Sequence, residues 1–509
     1  MTATHFAARL SEDGITPLAG LVAHCLEPGD MVALSGELGA GKTTFARAVI
    51  RAALGDDAAE VPSPTFALAE AYETPKGRIT HFDFYRLSRA QEAREIGFEE
   101  ALATGAVLVE WPERALELMP ADRLEIRFTE ADGGEVRQLS FEGHGGWAAR
   151  LERLAAIRRF LESAGWGEAR VRHLKGDAST RRYARLSLSG RTALLMDAPR
   201  RADGPPIRDG KPYSRIAHLA EDVVPYVAIS AGLRGLGLSA PLVHARDLAR
   251  GLLLIEDLGD RVFGEEIGRG ASQFELWRTA VDALLVLRRR PLPRNLPVGD
   301  STCYALPPYD RAALGIETEL LIDWYLPALT GAPAPERTRS EFAACWNEMF
   351  DRLLLLPQIP VLRDYHSPNL IWLPERQDVA RIGIIDFQDA LVGHPAYDLV
   401  SLLQDARIDV PAELEAELYD YYVAAAGADD PAFDEGGFAF AYRALGAQRN
   451  TKILGIFTRL AHRDGKPSYL QHIPRIWRYL ERDLAHATLR PLRAWYDAHL
   501  PDRLPTPMP

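Results

Sequence analysis

An apolar run at Met31–Leu34 stops at Ser35-Gly36, a glycine-rich loop follows, and Phe45, Ala46, Val49 and Ile50 then recur at helical spacing. That order reads as strand, loop, helix. Val107–Val109 predicts another short strand, and Leu124, Ile126 and Phe128 alternate with charged residues, as on a strand with one exposed face. Strands alternating with helices argue for an α/β sheet. Turn residues gather at Asp132-Gly133-Gly134 and over Gly143–Gly146, which predicts a boundary near residue 146, with domains 1–146 and 147–509. A charged amphipathic helix is expected over Trp147–Ala164. Beyond it, Ala184–Leu188, Thr192–Met196 and Leu252–Ile255 read as strands. From Phe274 the pattern turns mostly helical, interrupted by strand-like segments at 359–363 and 381–387. Residues 199–212 and 290–309 are proline-rich and read as loops. The second domain thus divides into a β-rich lobe, about 147–260, and a larger helical lobe, about 261–509.

Composition narrows the function classes. At 509 residues, two to four domains are expected, and 47% hydrophobic with 26% charged residues is ordinary for globular protein. The formal net charge of −12 argues against a chain whose main task is gripping nucleic acid. Cys25, Cys303 and Cys345 lie far apart, so neither a disulfide framework nor a zinc site is suggested. The N-terminal stretch lacks the basic start and apolar run of a signal peptide, and no 18-residue apolar stretch predicts a membrane span. A cytoplasmic protein is expected.

Gly36-Glu-Leu-Gly39-Ala-Gly41-Lys42-Thr43-Thr44 matches G-x-x-x-x-G-K-[ST] completely. The glycines let backbone N–H groups turn inward around phosphate oxygens. Lys42 is placed to reach the β- and γ-phosphates of ATP and Thr43 to hold Mg²⁺, while the helix N-terminus adds partial positive charge. Asp83, in His81-Phe-Asp-Phe-Tyr85-Arg86-Leu87, and Glu110, at the end of the Val107–Val109 run, are the candidate acids for metal and water.

These segments, with Ser63-Pro64-Thr65-Phe66 and Val109-Glu-Trp111-Pro-Glu-Arg114, fall in order along residues 5–140 and resemble the TsaE family. That family is the small ATPase subunit of the bacterial tRNA threonylcarbamoyladenosine machinery. The resemblance implies ATP-Mg at Lys42 and Thr43, a nucleotide-responsive switch at Ser63–Thr65, hydrolytic roles for Asp83 and Glu110, and Trp111 near the nucleotide. It implies partner subunits outside this chain. No basic stripe predicts direct RNA binding. A competing reading makes the module an assembly switch in which hydrolysis is incidental.

In the second domain, Arg363-Asp364-Tyr365-His366-Ser-Pro-Asn369 contains D-x-x-x-x-N, and Asp386 follows an apolar strand 22 residues after Asp364. Phosphoryl transfer needs such a set: an acid to accept the acceptor proton, here Asp364, and an amide and a carboxylate to hold Mg²⁺, here Asn369 and Asp386. Upstream, the polar turn Gly176-Asp-Ala-Ser179-Thr-Arg181-Arg182 reads as a cover for ATP phosphates. Leu252–Ile255 followed by Glu256-Asp257 reads as the hinge that meets adenine.

Residues 150–490 resemble the aminoglycoside/choline phosphotransferase family, and more narrowly its anomeric kinases of N-acetylmuramate and N-acetylglucosamine (AmgK type). The narrower likeness rests on Gly176–Tyr183, Leu195–Pro199, Leu306–Asp310, Arg363–His366 and Arg449–Phe457. It implies phosphate transfer to the C1 hydroxyl of the sugar in cell-wall recycling. The fold expected for the whole chain is therefore an α/β P-loop NTPase domain followed by an α+β bilobal, protein-kinase-like domain. One departure stands out: Leu194–Asp197 carries no lysine where many members place one on the phosphates, and Arg181 and Arg182 are the candidates for that charge. Sugar-contact candidates are Tyr309, Asp310, His366 and Asn450, with Glu317, Glu319, Asp323 and Trp324 behind them. Rival readings are a choline, homoserine or aminoglycoside kinase, and a catalytically inert regulatory domain.

Overall fold

The computed structural model describes residues 4–10, 12–131, 136–174, 181–200, 204–299 and 302–500. It divides into two compact units, Met1–Pro199 with Val243–Asp257, and Arg200–Leu242 with Leu258–Pro509. No described helix is long and apolar enough to cross a membrane.

The first unit holds two sheets. Strands β1 (Thr4–Leu10), β2 (Met31–Gly36), β3 (Ala69–Thr74), β4 (Gly77–Asp83), β5 (Ala106–Glu110), β6 (Arg123–Ala131) and β7 (Val136–His144) form one sheet in the order β1-β7-β6-β2-β5-β4-β3. Its centre is parallel: β2 pairs β5 and β6, and β4 pairs β5. Helices α1 (Glu12–Cys25), α2 (Lys42–Leu54), α3 (Gln91–Glu95), α4 (Phe98–Thr104) and α5 (Trp147–Ser163) complete its first part. The helical spacing of Phe45, Ala46, Val49 and Ile50 is the buried face of α2, each at 0% exposure. Burial of such a side chain contributes roughly 1.5–3 kcal/mol for the larger ones. Leu124, Ile126 and Phe128 are buried, as their alternation predicts.

The second sheet has strands β8 (Arg170–Leu174), β9 (Arg182–Leu188), β10 (Arg191–Asp197), β11 (Val243–Asp247) and β12 (Leu252–Ile255), in the order β11-β12-β10-β9-β8, antiparallel throughout.

Compactness does not divide the chain at residue 146. Two packings cross that boundary: α5 lies on β1, β7 and α1, and β8 lies on α1 and α2. Trp147, Leu151, Leu154 and Ile157 are buried there at 0% exposure. Residues Arg200–Leu242, expected in the β-rich lobe, belong to the second unit.

The second unit is mainly helical. Its central helix, Glu435–Arg463, is 29 residues long and buried over most of its length. The proline-rich 290–309 stretch holds a short antiparallel pair, Asn295–Pro297 with Cys303–Ala305. The strand-like segments appear as Ile359–Val361, paired with Leu391–Gly393, and Ile382–Ile384, paired with Leu370–Trp372.

Candidate active sites

The parallel centre of the first sheet brings three chain segments to one edge. β2 ends in the glycine loop, β5 ends in Glu110 and β4 ends in Asp83, and Asp83 lies directly across from Glu110 in the ladder. Gly36, Gly39 and Gly41 hold φ of 143°, 80° and 101°, a region closed to most side chains. A Cβ on Gly36 would lie 2.6 Å from the Phe128 carbonyl oxygen. Thr43 and Thr44 sit in the first turn of α2, where backbone N–H groups have no helical acceptor.

Lys42 is buried, and its Nζ donates to the carbonyls of Gly36 (2.7 Å) and Glu37 (2.8 Å). The ammonium also lies 3.8 Å from the Trp111 ring centroid, a cation–π contact. Burial lowers the Lys42 pKa, opposed by Glu110, Glu113 and Asp83. Trp111 adopts φ 58°, rare for a bulky residue, and its ring packs 4.9 Å from Tyr85. Thr43 Oγ1 donates to Glu110 Oε2 at 2.9 Å, and His81 Nε2 lies 2.9 Å from Glu110 Oε1. Thr65 Oγ1 donates to Asp83 Oδ2 at 2.9 Å and lies 2.8 Å from Ser63 Oγ, while Tyr85 N donates to Asp83 Oδ1. The Ser63–Thr65 segment and Asp83 are therefore linked through a single hydroxyl. A lysine, a hydroxyl and two carboxylates around a ring of backbone N–H groups fit a triphosphate with a divalent cation. His81 was not singled out from sequence. Its place in the ladder, one position from Phe82 and facing Leu108 in register, shows only once β4 and β5 are paired.

In the second unit, the segment that carries Asp364 and Asn369 is fixed by buried carboxylates. Asp398 accepts from the backbone N–H of Leu362 (2.7 Å) and Arg363 (2.9 Å), and Asp405 Oδ2 accepts from Ser367 N at 2.7 Å. Arg363 has φ 69° and Asp386 φ 57°, so the residue before Asp364 and the second acid both sit in left-handed backbone. Such conformations persist where surrounding structure holds them. Asn369 Nδ2 donates to the Asp364 carbonyl at 2.9 Å, and Ile385 N donates to the Asn369 carbonyl at 3.0 Å, which ties the Asp386 strand to the loop. Gln388 Nε2 donates to Asp386 Oδ1 at 2.8 Å. An acid, an amide oxygen and a second acid on two joined segments fit a divalent cation and a proton acceptor.

Behind the loop, Arg363 is buried and donates to the Ala217 carbonyl (2.9 Å) and to Glu317. Glu317 also receives Lys452 Nζ (2.8 Å), Gln448 Nε2 (2.9 Å) and the Tyr309 hydroxyl. Despite its burial, the two cations hold the Glu317 carboxyl well below the usual range. Asp398 and Asp405 carried no sequence signal, and Arg363 and Lys452 lay in segments that carried the likeness but were given no role, because their partners are backbone groups or residues far away in the chain.

The sugar-contact candidates separate. Tyr309 is buried against Glu317 and 5.2 Å from the Tyr397 ring. Asn450 is fully buried, its Nδ2 donating to Gln404 Oε1 at 2.7 Å. Asp310 caps the helix Arg311–Leu320 by accepting from Ala313 N, and its other oxygen lies 3.2 Å from His218 Nε2. His366 sits beside Asn369, with Nε2 3.2 Å from Asn369 Nδ2; its Nδ1 is buried without a partner among the described residues, and burial lowers its pKa. Glu319 pairs Arg208 and Asp323 pairs Arg339, both at the surface.

In the first unit, Asp257 accepts from Arg185 in a fork, Nε to Oδ2 at 2.6 Å and Nη2 to Oδ1 at 3.0 Å. Glu256 is half-buried at the end of β12. Arg182 pairs with Glu27. Arg181 is half-buried just before β9, and Ser179 lies outside the described residues. Arg185, on the strand beside Leu194, brings a guanidinium to the sheet position that lacks a lysine.

Asp398 supplies a pH test. Burial outweighs its two amide donors and pushes its carboxyl up to about 7. A raised carboxylate pKa means the folded chain holds more protons than the unfolded one between about pH 4 and 7. Stability from this group is therefore full below pH 4 and falls as pH rises to 7. Asp398→Asn is expected to flatten that limb in urea unfolding measured at several pH values. Asp483, also raised to about 7 by burial, keeps part of the slope.

The model of the family "Threonylcarbamoyl adenosine biosynthesis protein TsaE" matches residues 10–139, and that of the "Phosphotransferase enzyme family" matches residues 170–438. An N-acetylmuramate/N-acetylglucosamine kinase of Caulobacter vibrioides is 40% identical over 359 residues, covering 69% of this chain and 97% of its own. One from Pseudomonas aeruginosa is 35% identical over 342 residues, covering 65% and 89%. A tRNA threonylcarbamoyladenosine biosynthesis protein TsaE of Rickettsia felis is 40% identical over 122 residues, covering 24% and 71%.

Proposed function

We propose, for a chain that belongs to the phosphotransferase enzyme family in its larger part and to the TsaE family in its first, that the larger part phosphorylates the anomeric C1 hydroxyl of N-acetylmuramate and N-acetylglucosamine in cell-wall recycling. The observation that carries this reading is the pairing of Asp364 with Asn369 and Asp386 on two hydrogen-bonded segments, in a chain 40% identical to a kinase of that name.

Asp364 accepts the proton of the attacking C1 hydroxyl, the γ-phosphoryl group passes to that oxygen, and ADP leaves. An anomeric hydroxyl is more acidic than an ordinary alcohol, so a carboxylate base suffices. Asn369 and Asp386 are the ligands for Mg²⁺, which when bound neutralises charge on the phosphates. Asp398, Asp405 and Arg363 hold the loop so that Asp364 keeps one position, and positioning of this kind supplies a large part of such catalysis. His366, beside Asn369, is the retained candidate for a sugar contact.

In the first module, Lys42 and the N-terminus of α2 bind the ATP phosphates. Thr43 and Glu110 hold Mg²⁺, and Asp83 with Thr65 and Ser63 senses the nucleotide. This module serves tRNA threonylcarbamoyladenosine formation together with other subunits of that machinery. Lys42→Ala is expected to lower sugar-independent ATP turnover by roughly 100-fold or more, since it removes the charge on the transferring phosphates. Nucleotide binding by equilibrium dialysis and turnover by phosphate release check this. Glu110→Gln is expected to retain nucleotide while losing turnover.

Substrate class is tested by ADP release with N-acetylmuramate, N-acetylglucosamine, choline and an aminoglycoside, with product phosphate located by ³¹P NMR. C1-phosphorylated sugar as the only product supports the proposal. Phosphorylated choline or aminoglycoside, with neither sugar turned over, defeats it.

A further inference from the structure

The apolar core of the first unit does not stop between its two sheets. Leu18 and Val22 of α1, Val49 and Ile50 of α2, Leu154 and Ile157 of α5, and Val171, Ala184, Leu186, Leu195 and Leu254 of the five-stranded sheet form one buried cluster. The contact is close. A Cβ on Gly20 of α1 would lie 2.9 Å from both the Cβ and the carbonyl oxygen of Val171 on β8, so helix backbone and strand backbone approach as only glycine allows. Gly55, which ends α2 with φ 71°, sits against Arg172 on the same strand.

Polar groups cross the same seam. His24 of α1 is fully buried, with Nε2 3.6 Å from Asp197 Oδ2 on β10 and Nδ1 3.3 Å from His173 Nδ1 on β8. Asp197 is buried too, and its Oδ1 accepts from Arg153 of α5 at Nε (2.9 Å). Arg182 pairs with Glu27, and Arg170 pairs with Asp57 at 2.6 Å. The buried aspartate of the kinase sheet thus takes its partners from a helix of the ATPase and from the helix that joins the two.

We propose that the ATPase module and the β-lobe of the kinase are one cooperative folding unit, with α1 as the permanent docking partner of β8. Two domains on a tether would bury little against one another and unfold separately. A seam lined by fully buried apolar side chains and a shared buried charge couples their opening. The β8–β9 pair is then held from outside the kinase. This reading stands apart from the choice of sugar substrate.

Native-state hydrogen exchange of the full chain in increasing urea tests it. Amides of β2 (Val32–Leu34) and of β9 and β10 (Ala184–Leu186, Ala193–Leu195) are expected to open with the same free energy and the same urea dependence. Opening of β9 and β10 at lower urea and with a smaller slope, while β2 stays closed, overturns the proposal. Gly20→Val, which wedges the seam, is expected to raise the exchange of both strand sets together by roughly ten-fold. Faster exchange confined to the first sheet, or none in either, overturns it. Should Gly20→Val fail to fold, Asp197→Asn gives the same comparison from the polar side.

Discussion

Asp364→Asn removes sugar phosphorylation, with an expected fall of about 10³-fold in kcat and little change in KM for the sugar. General-base catalysis is worth roughly 10²–10⁴-fold, and the amide cannot accept the proton. Substrate binding should survive, because the Asp364 backbone stays fixed: its carbonyl accepts from Asn369 Nδ2, and the preceding amides are held by Asp398. The loop geometry is thus built from neighbours and not from the Asp364 side chain. A change confined to KM in steady-state kinetics would place Asp364 in sugar binding and move the base elsewhere.

Glu317→Ala is expected to have the largest effect on stability. It leaves the buried Arg363 and the half-buried Lys452 without their shared carboxylate, and strands the Tyr309 hydroxyl and Gln448 amide. Breaking a buried ion pair by removing one partner costs about 3–5 kcal/mol. Urea unfolding followed on the second unit should show that loss. Kinase activity should fall with it, since Glu317 anchors Arg363, the residue next to Asp364. Glu317→Gln keeps hydrogen-bonding atoms without the charge and is expected to lie between. The pH dependence has a definite sign. The native Glu317 pKa is depressed by Lys452 and Arg363, so its contribution is full above the ordinary glutamate range, about 4.3, and fades as pH falls below it. A Glu317→Ala protein as stable as the parent would mean the network contributes nothing net.

How much of this was legible in the sequence follows from where each signal lives. The phosphate loop was legible because its requirement is local: three glycines with positive φ and a lysine opening a helix. Glu110 was legible because it ends an apolar run, and Asp83 because it stands near Arg86 in a motif; parallel pairing puts both at one edge. The β3–β4 hairpin was not, since strands such as Ala69–Thr74 are half-exposed and carry charged residues. Tyr309 and Asn450 were read as sugar contacts because they are polar and near the motifs. Their burial depends on the packing of the Glu435–Arg463 helix, which no local pattern reports. The seam between the modules was least legible of all. His24 and Asp197 are remote in sequence, and Gly20 looks like an ordinary helix glycine until Val171 is placed against it.

On the proposed function, one chain holds two distinct ATP-consuming sites, one acting on a sugar. The most direct measurement is ATP turnover with and without N-acetylmuramate by the full-length protein, Lys42→Ala, Asp364→Asn and the double variant. Lys42→Ala is expected to lose only sugar-independent turnover, Asp364→Asn only sugar-dependent turnover, and the double variant both. Sugar-dependent turnover that survives Asp364→Asn but vanishes with Lys42→Ala would contradict that function.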